Sequence, residues 1–322
     1  MKPLIWIIDE EWPDYEYEKE ILKNKYPQCT LRFSTYDYAE DLINFGSNAD
    51  AVICQVYADL PKSTIDQLQQ CKIIAVYGGG YDRVDVKAAK VKGIKVTNVS
   101  GYCAEDLADY VIAAIYETNK GLTTYGKAIE QGLWGAQAVN YPIRRIRDSV
   151  LLIIGCGRIG STLARKAVAL NMTVMAYDPY VEETVLKELG VTKVSLEEGL
   201  QKADYISINA ILTEKTSGMI TSKEFRQMKP NVVLINTARG KIIVEEDLIE
   251  AVQQGLIREA IVDVISSEPP TYEEAIFKTE HIAVTPHISY ISEDSFRELK
   301  RRACNNVITV LEGDLPQDWV NQ

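Results

Sequence analysis

Short apolar runs alternate with stretches of helical periodicity through the first hundred residues. Four of these runs are predicted to be strands, at residues 4–8, 51–56, 72–76 and 94–96. Strands separated by helices are typical of βαβ units, whose strands pair in parallel. This part of the chain is therefore predicted to form a first α/β domain.

A helix is predicted next, over residues 105–118, and it could link this domain to the rest of the chain. Its apolar residues have the spacing of one buried helix face and are Leu107, Val111, Ala114 and Ile115. The following segment, 125–141, shows no strong periodicity. We interpret it as an extension that packs on a partner subunit.

A second series of strands begins at Ser149. The predicted strands are residues 150–154, 173–177, 204–208, 232–236, 260–264 and 282–285. Six strands that alternate with helices indicate a doubly wound parallel sheet. Residues 293–311 predict a last helix, long enough to pack back on the first domain.

Length and charge narrow the choice of protein class. At 322 residues, the chain exceeds the size at which one hydrophobic core usually keeps growing, so two domains are expected. The formal net charge of -11 argues against a nucleic-acid partner, because such binding needs Lys and Arg to neutralise phosphates. The basic cluster of Arg144, Arg145 and Arg147 is interpreted as solvated surface or a subunit contact.

Neither a membrane nor a metal is expected. The first residues show no secretion leader, and the longest apolar run, around residues 150–154, is far shorter than the roughly 20 residues of a membrane-spanning helix. We therefore expect a cytoplasmic protein. The cysteines show neither a disulfide framework nor zinc-ligand spacing and are expected to be reduced; they are Cys29, Cys54, Cys71, Cys103, Cys156 and Cys304.

A glycine motif follows the strand predicted at residues 150–154. Gly155 is expected to make a tight turn, Gly157 to let the backbone approach a pyrophosphate, and Gly160 to allow close helix-to-strand contact. The amides of Arg158 and Ile159 would then face phosphates at the helix N-terminus. This context predicts a dinucleotide site.

Asp178 ends the next predicted strand. A carboxylate there can accept hydrogen bonds from the adenosine ribose hydroxyls and would repel a 2′-phosphate. The expected cofactor is therefore NAD rather than NADP. The alternative is an ordinary glycine turn with a surface aspartate.

Several motifs in a fixed order resemble those of the D-isomer-specific 2-hydroxyacid dehydrogenases. Besides the glycine motif, they occupy residues 78–85, 236–240, 263–269 and 285–287. Within the family, the residues after Asp178, those after His287 and the segment from Pro142 to Arg145 are most similar to the branch that contains the C-terminal binding proteins.

The resemblance implies an α/β fold with two doubly wound parallel-sheet domains. A flavodoxin-like substrate-binding (catalytic) domain would comprise residues 1–102 and 291–322, with a Rossmann NAD-binding domain of residues 103–290 inserted in it. The family also implies a homodimer through the nucleotide-binding domains, for which residues 125–141 are the candidate contact.

The resemblance also implies three catalytic residues that converge in a cleft between the domains: Arg239, Glu268 and His287. Reducing a 2-keto acid requires these residue types. Arg239 can hold the substrate carboxylate by charge-assisted hydrogen bonds. His287 would donate a proton to the carbonyl oxygen as hydride arrives, while Glu268 would orient the imidazole and keep it protonated.

Other family positions are expected to contact the cofactor. Thr237 and Ala238 would line it beside the arginine, and Asp263 would touch the nicotinamide carboxamide. Residues 209–213, which include the expected cofactor contacts Ala210 and Thr213, occupy the place where the family often has a His and a Pro ahead of Leu-Thr. Cofactor contact there is expected to differ.

The substrate pocket is expected to involve both domains. Gly79 and Gly80, which follow Gly78, would let backbone amides approach the substrate carboxylate. Tyr57 occupies the loop in which phosphoglycerate dehydrogenases usually place a phosphate-binding Arg, which makes a phosphorylated substrate less favoured. Tyr290 stands where C-terminal binding proteins carry Trp and is expected to form an aromatic wall.

The predicted activity is that of an NAD-dependent oxidoreductase which interconverts a small 2-keto acid and its D-2-hydroxy acid. Within the enzyme class, a 3-phosphoglycerate dehydrogenase or a glyoxylate/hydroxypyruvate reductase is the alternative. An NAD(H)-sensing scaffold similar to the C-terminal binding proteins is the alternative from another class.

Overall fold

The computed structural model describes residues 2–139 and 143–322. Part of the 125–141 segment and Pro142 of the branch-specific motif lie outside these residues. In the described residues the strands are β1 (Leu4–Ile8), β2 (Thr30–Ser34), β3 (Ala51–Gln55), β4 (Ile73–Tyr77), β5 (Lys95–Thr97), β6 (Val150–Ile154), β7 (Thr173–Tyr177), β8 (Thr192–Lys193), β9 (Tyr205–Ile208), β10 (Val233–Asn236), β11 (Glu259–Val262) and β12 (Ile282–Val284).

Helices alternate with these strands. They are α1 (Glu16–Lys25), α2 (Ala39–Asn44), α3 (Lys62–Ile65), α4 (Val86–Val91), α5 (Ala104–Lys120), α6 (Leu122–Ala128), α7 (Arg158–Ala169), α8 (Glu183–Glu188), α9 (Leu196–Lys202), α10 (Ser222–Phe225), α11 (Glu245–Gln253) and α12 (Glu293–Glu312). The chain divides into two compact units, one of Met1–Tyr102 with Ser292–Gln322 and one of Cys103–Ile291.

The first unit is built on a five-stranded parallel sheet in the order β2-β1-β3-β4-β5. Strands β3 and β4 are buried along their whole length, which explains their continuous apolar runs, since a parallel sheet is covered on both faces. The strand order reverses between β1 and β3, a point beside which open sheets bind ligands at the carboxyl ends of the strands.

Strand β2 is an element that the apolar pattern did not predict. It pairs with β1 at the edge of the sheet, and Thr30, Arg32 and Phe33 are exposed. An edge strand with one solvated side needs no continuous apolar run. Its sequence therefore carries a weak strand signal.

Helix α12 belongs to the first unit although it lies near the far end of the chain. Its buried face includes Leu299, Ala303, Cys304 and Val307. These side chains pack in one apolar cluster with residues of β1, β3 and β4. The helix therefore completes one face of this sheet.

The second unit contains a seven-stranded parallel sheet in the order β12-β11-β10-β9-β6-β7-β8. The strand order reverses between β6 and β9, as in a Rossmann fold. Helices α5 and α7 bury Val111, Ile115 and Leu163 against one face of the sheet. The opposite face packs on a cluster that includes Leu200 and Phe225.

Two elements of this unit differ from the sequence prediction. Strand β8 has two residues at the sheet edge, too few to produce a recognisable apolar run. Helix α6 occupies Leu122–Ala128 and so extends into the segment 125–141, for which the sequence showed no strong periodicity. Two short 3-10 turns follow it, Ile129–Gln131 and Gly135–Ala138.

Some features are absent from the described part of the chain. No helix in residues 2–139 or 143–322 is both long and apolar enough to cross a bilayer. The same residues contain no group of three His, Cys, Asp or Glu side chains that could hold a metal ion. The six cysteines are free thiols.

Candidate functional site

The glycine turn lies where the strand order of the second unit reverses. Gly155 follows β6 with φ of 90°, and its amide donates to Tyr177 O at 2.9 Å. A Cβ on Gly155 would lie 2.7 Å from the amide nitrogen of Ala210, which follows β9. A side chain here would therefore strain the turn and separate it from the next strand.

Gly160 and Gly157 have different surroundings. A Cβ on Gly160 would lie 2.2 Å from Gly155 O, so only glycine allows α7 to pack this closely on the turn. No atom lies within 4 Å of the position that a Cβ of Gly157 would take. Gly157 is the N-cap of α7, and Arg158 and Ile159 form the start of that helix. The open side of the turn therefore meets a helix N-terminus, where anions are stabilised.

Asp178 holds the glycine turn and the end of β7 together. Its Oδ2 accepts from the amide of Cys156 at 2.8 Å, and its Oδ1 accepts from the amide of Tyr180 at 2.8 Å. A carboxylate oxygen has two lone pairs, so both contacts are compatible with further hydrogen bonds. The side chain predicted to bind the adenosine ribose is therefore fixed beside the turn predicted to bind the pyrophosphate.

The remaining predicted cofactor residues lie after β9, β10 and β11. Ala210 abuts the glycine turn, whereas Thr213 is exposed and shares a hydrogen bond with Thr216. Among the described residues, Thr237 Oγ1 is a buried hydroxyl with no hydrogen-bond partner. A buried polar atom without a partner costs free energy, so it marks a place where an added acceptor or donor would be stabilised.

The turn after β10 presents Arg239. The buried side chain of Asn236 accepts from the amide of Ala238 at 3.0 Å and donates to Arg239 O at 3.0 Å. The guanidinium of Arg239 donates to Ala238 O at 2.8 Å. Asn236, to which the sequence assigned no role, therefore fixes the backbone that carries the arginine.

His287 and Glu268 are paired. His287 Nδ1 lies 3.1 Å from Glu268 Oε2, and each side chain is 16% exposed. Glu268 Oε1 accepts from the amide of Ile265 at 3.0 Å. With Nδ1 on the carboxylate, proton transfer to a substrate would have to use the other ring nitrogen, Nε2.

The carboxyl group of Glu268 is held in its ionised form. Burial acts to raise its pKa, but the hydrogen bond to His287, the charge of that imidazole, the Ile265 amide and the charge of Arg239 together lower the pKa below its usual value. An ionised carboxylate can accept a hydrogen bond from the imidazole at Nδ1. The pair is therefore suited to hold and release a proton.

His287 adopts an unusual backbone conformation, with φ of 54°. Its amide donates to Asp263 O at 2.9 Å. The Asp263 carboxylate accepts from the amides of Ile288 and Ser289, each at 2.9 Å. Asp263, expected to contact the nicotinamide, is 1% exposed and in this structure organises the turn that carries His287. The ring of Tyr290 meets that of His287 edge to face, with centroids 6.1 Å apart.

The other predicted substrate residues lie in the first unit. Gly79 and Gly80 follow β4, and Gly79 O accepts from Asn98 Nδ2 at 2.7 Å. Tyr57 follows β3, and its ring packs on Tyr36 with centroids 6.1 Å apart. These residues share the carboxyl edge of one sheet, while Arg239, Glu268, His287, Asp263 and Tyr290 share that of the other.

Arg83, which lies within the motif of residues 78–85, contacts the loop that carries Tyr57. Its Nη1 donates to Tyr57 O at 3.2 Å and lies 3.5 Å from Asp59 Oδ2. The guanidinium therefore contacts the loop of residues 55–59, which contains no Arg or Lys of its own. A contact between two loops of different strands has no local sequence signal.

The chain is similar to known proteins of one enzyme family. Residues 112–289 match the family described as D-isomer specific 2-hydroxyacid dehydrogenase, NAD binding domain. The chain is 31% identical to a glyoxylate reductase of Korarchaeum cryptofilum over 85% of this chain and 83% of that protein. It is 30% identical to a hydroxypyruvate reductase of Blautia hydrogenotrophica, over 88% of each chain.

A solved structure supports the same assignment. The D-lactate dehydrogenase from Aquifex aeolicus, complexed with NAD and lactic acid, superposes with a TM-score of 0.87 and 26% identity over 99% of both chains. Together with the two parallel sheets, these matches confirm the predicted fold class, family and NAD cofactor. The chain belongs to the D-isomer-specific 2-hydroxyacid dehydrogenases and is an NAD-dependent oxidoreductase.

Proposed function

We propose that this enzyme reduces a small 2-keto acid to its D-2-hydroxy acid and catalyses the reverse reaction, with Arg239, Glu268 and His287 as catalytic residues. The observation that carries the proposal is the contact of His287 Nδ1 with Glu268 Oε2 at 3.1 Å. It leaves Nε2 to exchange a proton with the substrate oxygen. Such a pair is needed when hydride transfer is coupled to proton transfer.

Each side chain has a separate task. Arg239 binds the substrate carboxylate and polarises the neighbouring carbonyl, because a guanidinium matches a carboxylate in shape and charge. His287 Nε2 gives its proton to the carbonyl oxygen and takes it back in the reverse direction. Glu268 stabilises the imidazolium at Nδ1 and fixes the ring. When bound, the nicotinamide supplies or accepts the hydride at carbon 2.

The residues present fit a dinucleotide. Gly157 leaves open space beside the N-terminus of α7, which suits a pyrophosphate. Asp178 is fixed beside this turn and can accept from ribose hydroxyls. The buried Thr237 hydroxyl lacks a partner within the described chain. We assign the adenosine ribose to Asp178 and the nicotinamide half to the region of Thr237, Ala238 and Asp263.

The substrate that we favour is a small unphosphorylated 2-keto acid such as glyoxylate or hydroxypyruvate. Residues 55–59 contain no Lys or Arg, and Tyr57 occupies the expected phosphate position. One observation supports 3-phosphoglycerate as a second candidate, namely that the Arg83 guanidinium contacts this loop from another one. Our candidate substrate residues are Gly79, Gly80 and Tyr57 at the carboxyl edge of the first sheet, and Tyr290 at that of the second.

The test is oxidation of NADH with a panel of 2-keto acids, together with reduction of NAD by 3-phosphoglycerate. We expect fast turnover of one small keto acid, a D-product, and loss of about 100-fold or more in kcat for His287→Ala, given the usual contribution of general acid catalysis. His281→Ala is the matched control and should retain full activity. NADH binding without turnover of any substrate would contradict the proposal and favour the NAD(H)-sensing scaffold.

We also propose a homodimer that forms through the segment after α5. Exposed apolar side chains are concentrated there: Leu122, Ile129, Trp134, Val139 and Ile143. Leu122 is 77% and Trp134 is 79% exposed, and such a surface is typical of an interaction site. Light scattering after size exclusion should give twice the chain mass, and Leu122→Arg with Trp134→Arg should give monomers. A monomeric wild type would contradict this proposal.

The free thiols support a reducing compartment as the working environment, since disulfides are rare in the cytosol. We therefore propose a cytoplasmic location. Fractionation of cells followed by detection of the protein tests it.

A further inference from the structure

A chain of hydrogen bonds connects helix α5 to the turn that carries His287. Tyr110 OH lies 2.5 Å from Thr285 Oγ1, and Thr285 Oγ1 donates to Asp263 Oδ1 at 2.6 Å. Tyr110 is half-buried on α5, Thr285 follows β12, and Asp263 follows β11. Three distant segments of one unit therefore meet beside the histidine.

The direction of each hydrogen bond can be assigned. The Asp263 carboxylate receives donors from Thr285, Ile288 and Ser289, and a group surrounded by donors acts as an acceptor. The single hydroxyl proton of Thr285 therefore points to Asp263. Thr285 Oγ1 must then accept from Tyr110, whose hydroxyl supplies the other proton.

Tyr110 is suited to remain a donor. Burial raises the pKa of its hydroxyl above the ordinary value, and the negative charge of Asp263 raises it further, against the opposing effect of the hydrogen bond with Thr285. The hydroxyl is therefore protonated throughout the neutral range. The direction of these hydrogen bonds therefore does not change near physiological pH.

The orientation of Asp263 matters because His287 has a left-handed backbone, with φ of 54°. Such a conformation is unfavourable for a non-glycine residue and persists only where its surroundings hold it. Asp263 provides that support through its carbonyl oxygen, which accepts from His287 N, and through its carboxylate, which accepts from the next two amides. A rotated carboxylate would release the turn.

We propose that Tyr110 and Thr285 are positioning residues for the reaction. By hydrogen bonding in series they hold the Asp263 carboxylate in the orientation that keeps His287 Nδ1 on Glu268. The inference rests on the proposed role of His287 as proton donor. Neither Tyr110 nor Thr285 needs to contact substrate.

The experiment compares Tyr110→Phe, Thr285→Val and Thr285→Ser with a control, Tyr116→Phe. Tyr116 lies on the same helix and is 38% exposed. The first two variants should lower kcat by about tenfold, a fraction of the roughly 100-fold that a 1 Å misplacement costs, with KM for the keto acid within about twofold. Thr285→Ser keeps the hydroxyl and should therefore retain the kcat of the wild type.

A second readout does not depend on activity. The chain has two histidines, His281 and His287, so the imidazole NMR signals are assigned by one substitution, His281→Gln. In Tyr110→Phe the His287 signal should move or broaden while the His281 signal stays in place. Thermal unfolding shows whether each variant is folded.

The outcomes separate the two proposals. Wild-type kcat in Tyr110→Phe, with or without a change in the His287 signal, would overturn the positioning role. So would an equal loss of kcat in Tyr116→Phe. If His287→Ala were fully active, the proposed function would fail instead, and an altered His287 signal in Tyr110→Phe would still establish the structural connection.

Discussion

Gly240 offers a direct test of how the catalytic pair is supported. It follows Arg239 and packs against the backbone after β11. A Cβ built on Gly240 would lie 1.9 Å from the carbonyl carbon of Ile265 and 2.5 Å from the amide nitrogen of Ser266. Since ordinary contact begins at 3.4 Å, the Ile265 carbon would have to retreat by about 1.5 Å, the difference between 3.4 Å and 1.9 Å.

That movement reaches the chemistry through one hydrogen bond. The Ile265 amide donates to Glu268 Oε1 at 3.0 Å, so Gly240→Ala should displace the Glu268 carboxylate from His287. A displacement of about 1 Å at a catalytic group costs about 100-fold in rate, which corresponds to about 2.7 kcal/mol of transition-state stabilisation. Overpacking should also lower the free energy of unfolding by about 1–3 kcal/mol.

Steady-state NADH oxidation with the preferred keto acid measures the first effect, and thermal unfolding measures the second. Gly126→Ala is the matched control, because no atom lies within 4 Å of its Cβ position; it should keep full activity. Gly240→Ala with kcat/KM within about twofold of wild type would refute the reasoning, since a 1 Å displacement is expected to cost far more.

Two further predictions concern buried charges. The lowered pKa of Glu268 contributes stability above the ordinary value of 4.5, and this contribution is lost as pH falls through the lowered pKa. Urea unfolding at several pH values should therefore show the gap between wild type and Glu268→Gln narrowing in acid; a gap that widens would contradict the shift. In the first unit, Lys300 lies 3.3 Å from Glu18, whose side chain is fully buried, and burial raises the pKa of Glu18 in spite of Lys300. Lys300→Met should destabilise by about 3 kcal/mol at neutral pH, and by less in acid, where a protonated Glu18 needs no counterion; a loss of stability that does not depend on pH would contradict this.

The sequence predicted the strands whose burial leaves an apolar run. β3 and β4 are buried on both faces and were recognised, whereas β2 has exposed positions at the sheet edge and was not. β8 is too short to show any period. The information for these edge strands lies in their pairing with a neighbour rather than in their own residues.

The candidate site likewise contains residues that the sequence predicted and residues that it did not. Local motifs predicted Glu268 and His287, whose side chains do meet. The bond between Tyr110 and Thr285 joins residues 175 positions apart, and a tyrosine on a helix carries no local sign of that partner. The contact of Arg83 with the Tyr57 loop was missed for the same reason. The roles proposed for these side chains remain predictions until tested.

The position of α12 has a consequence for the order in which the chain folds during synthesis. Residues 103–291 form a compact unit and are made, and emerge from the ribosome, before residues 292–312, which include α12. Until then the apolar face formed by β1, β3 and β4 lacks Leu299, Ala303 and Val307. Because domains generally fold as units as they emerge, the inserted unit should become protease-resistant first, while the flanking unit, begun earlier, finishes last. A chain that is truncated after residue 291 and released from the ribosome should therefore protect the second unit against protease and leave the first unit sensitive.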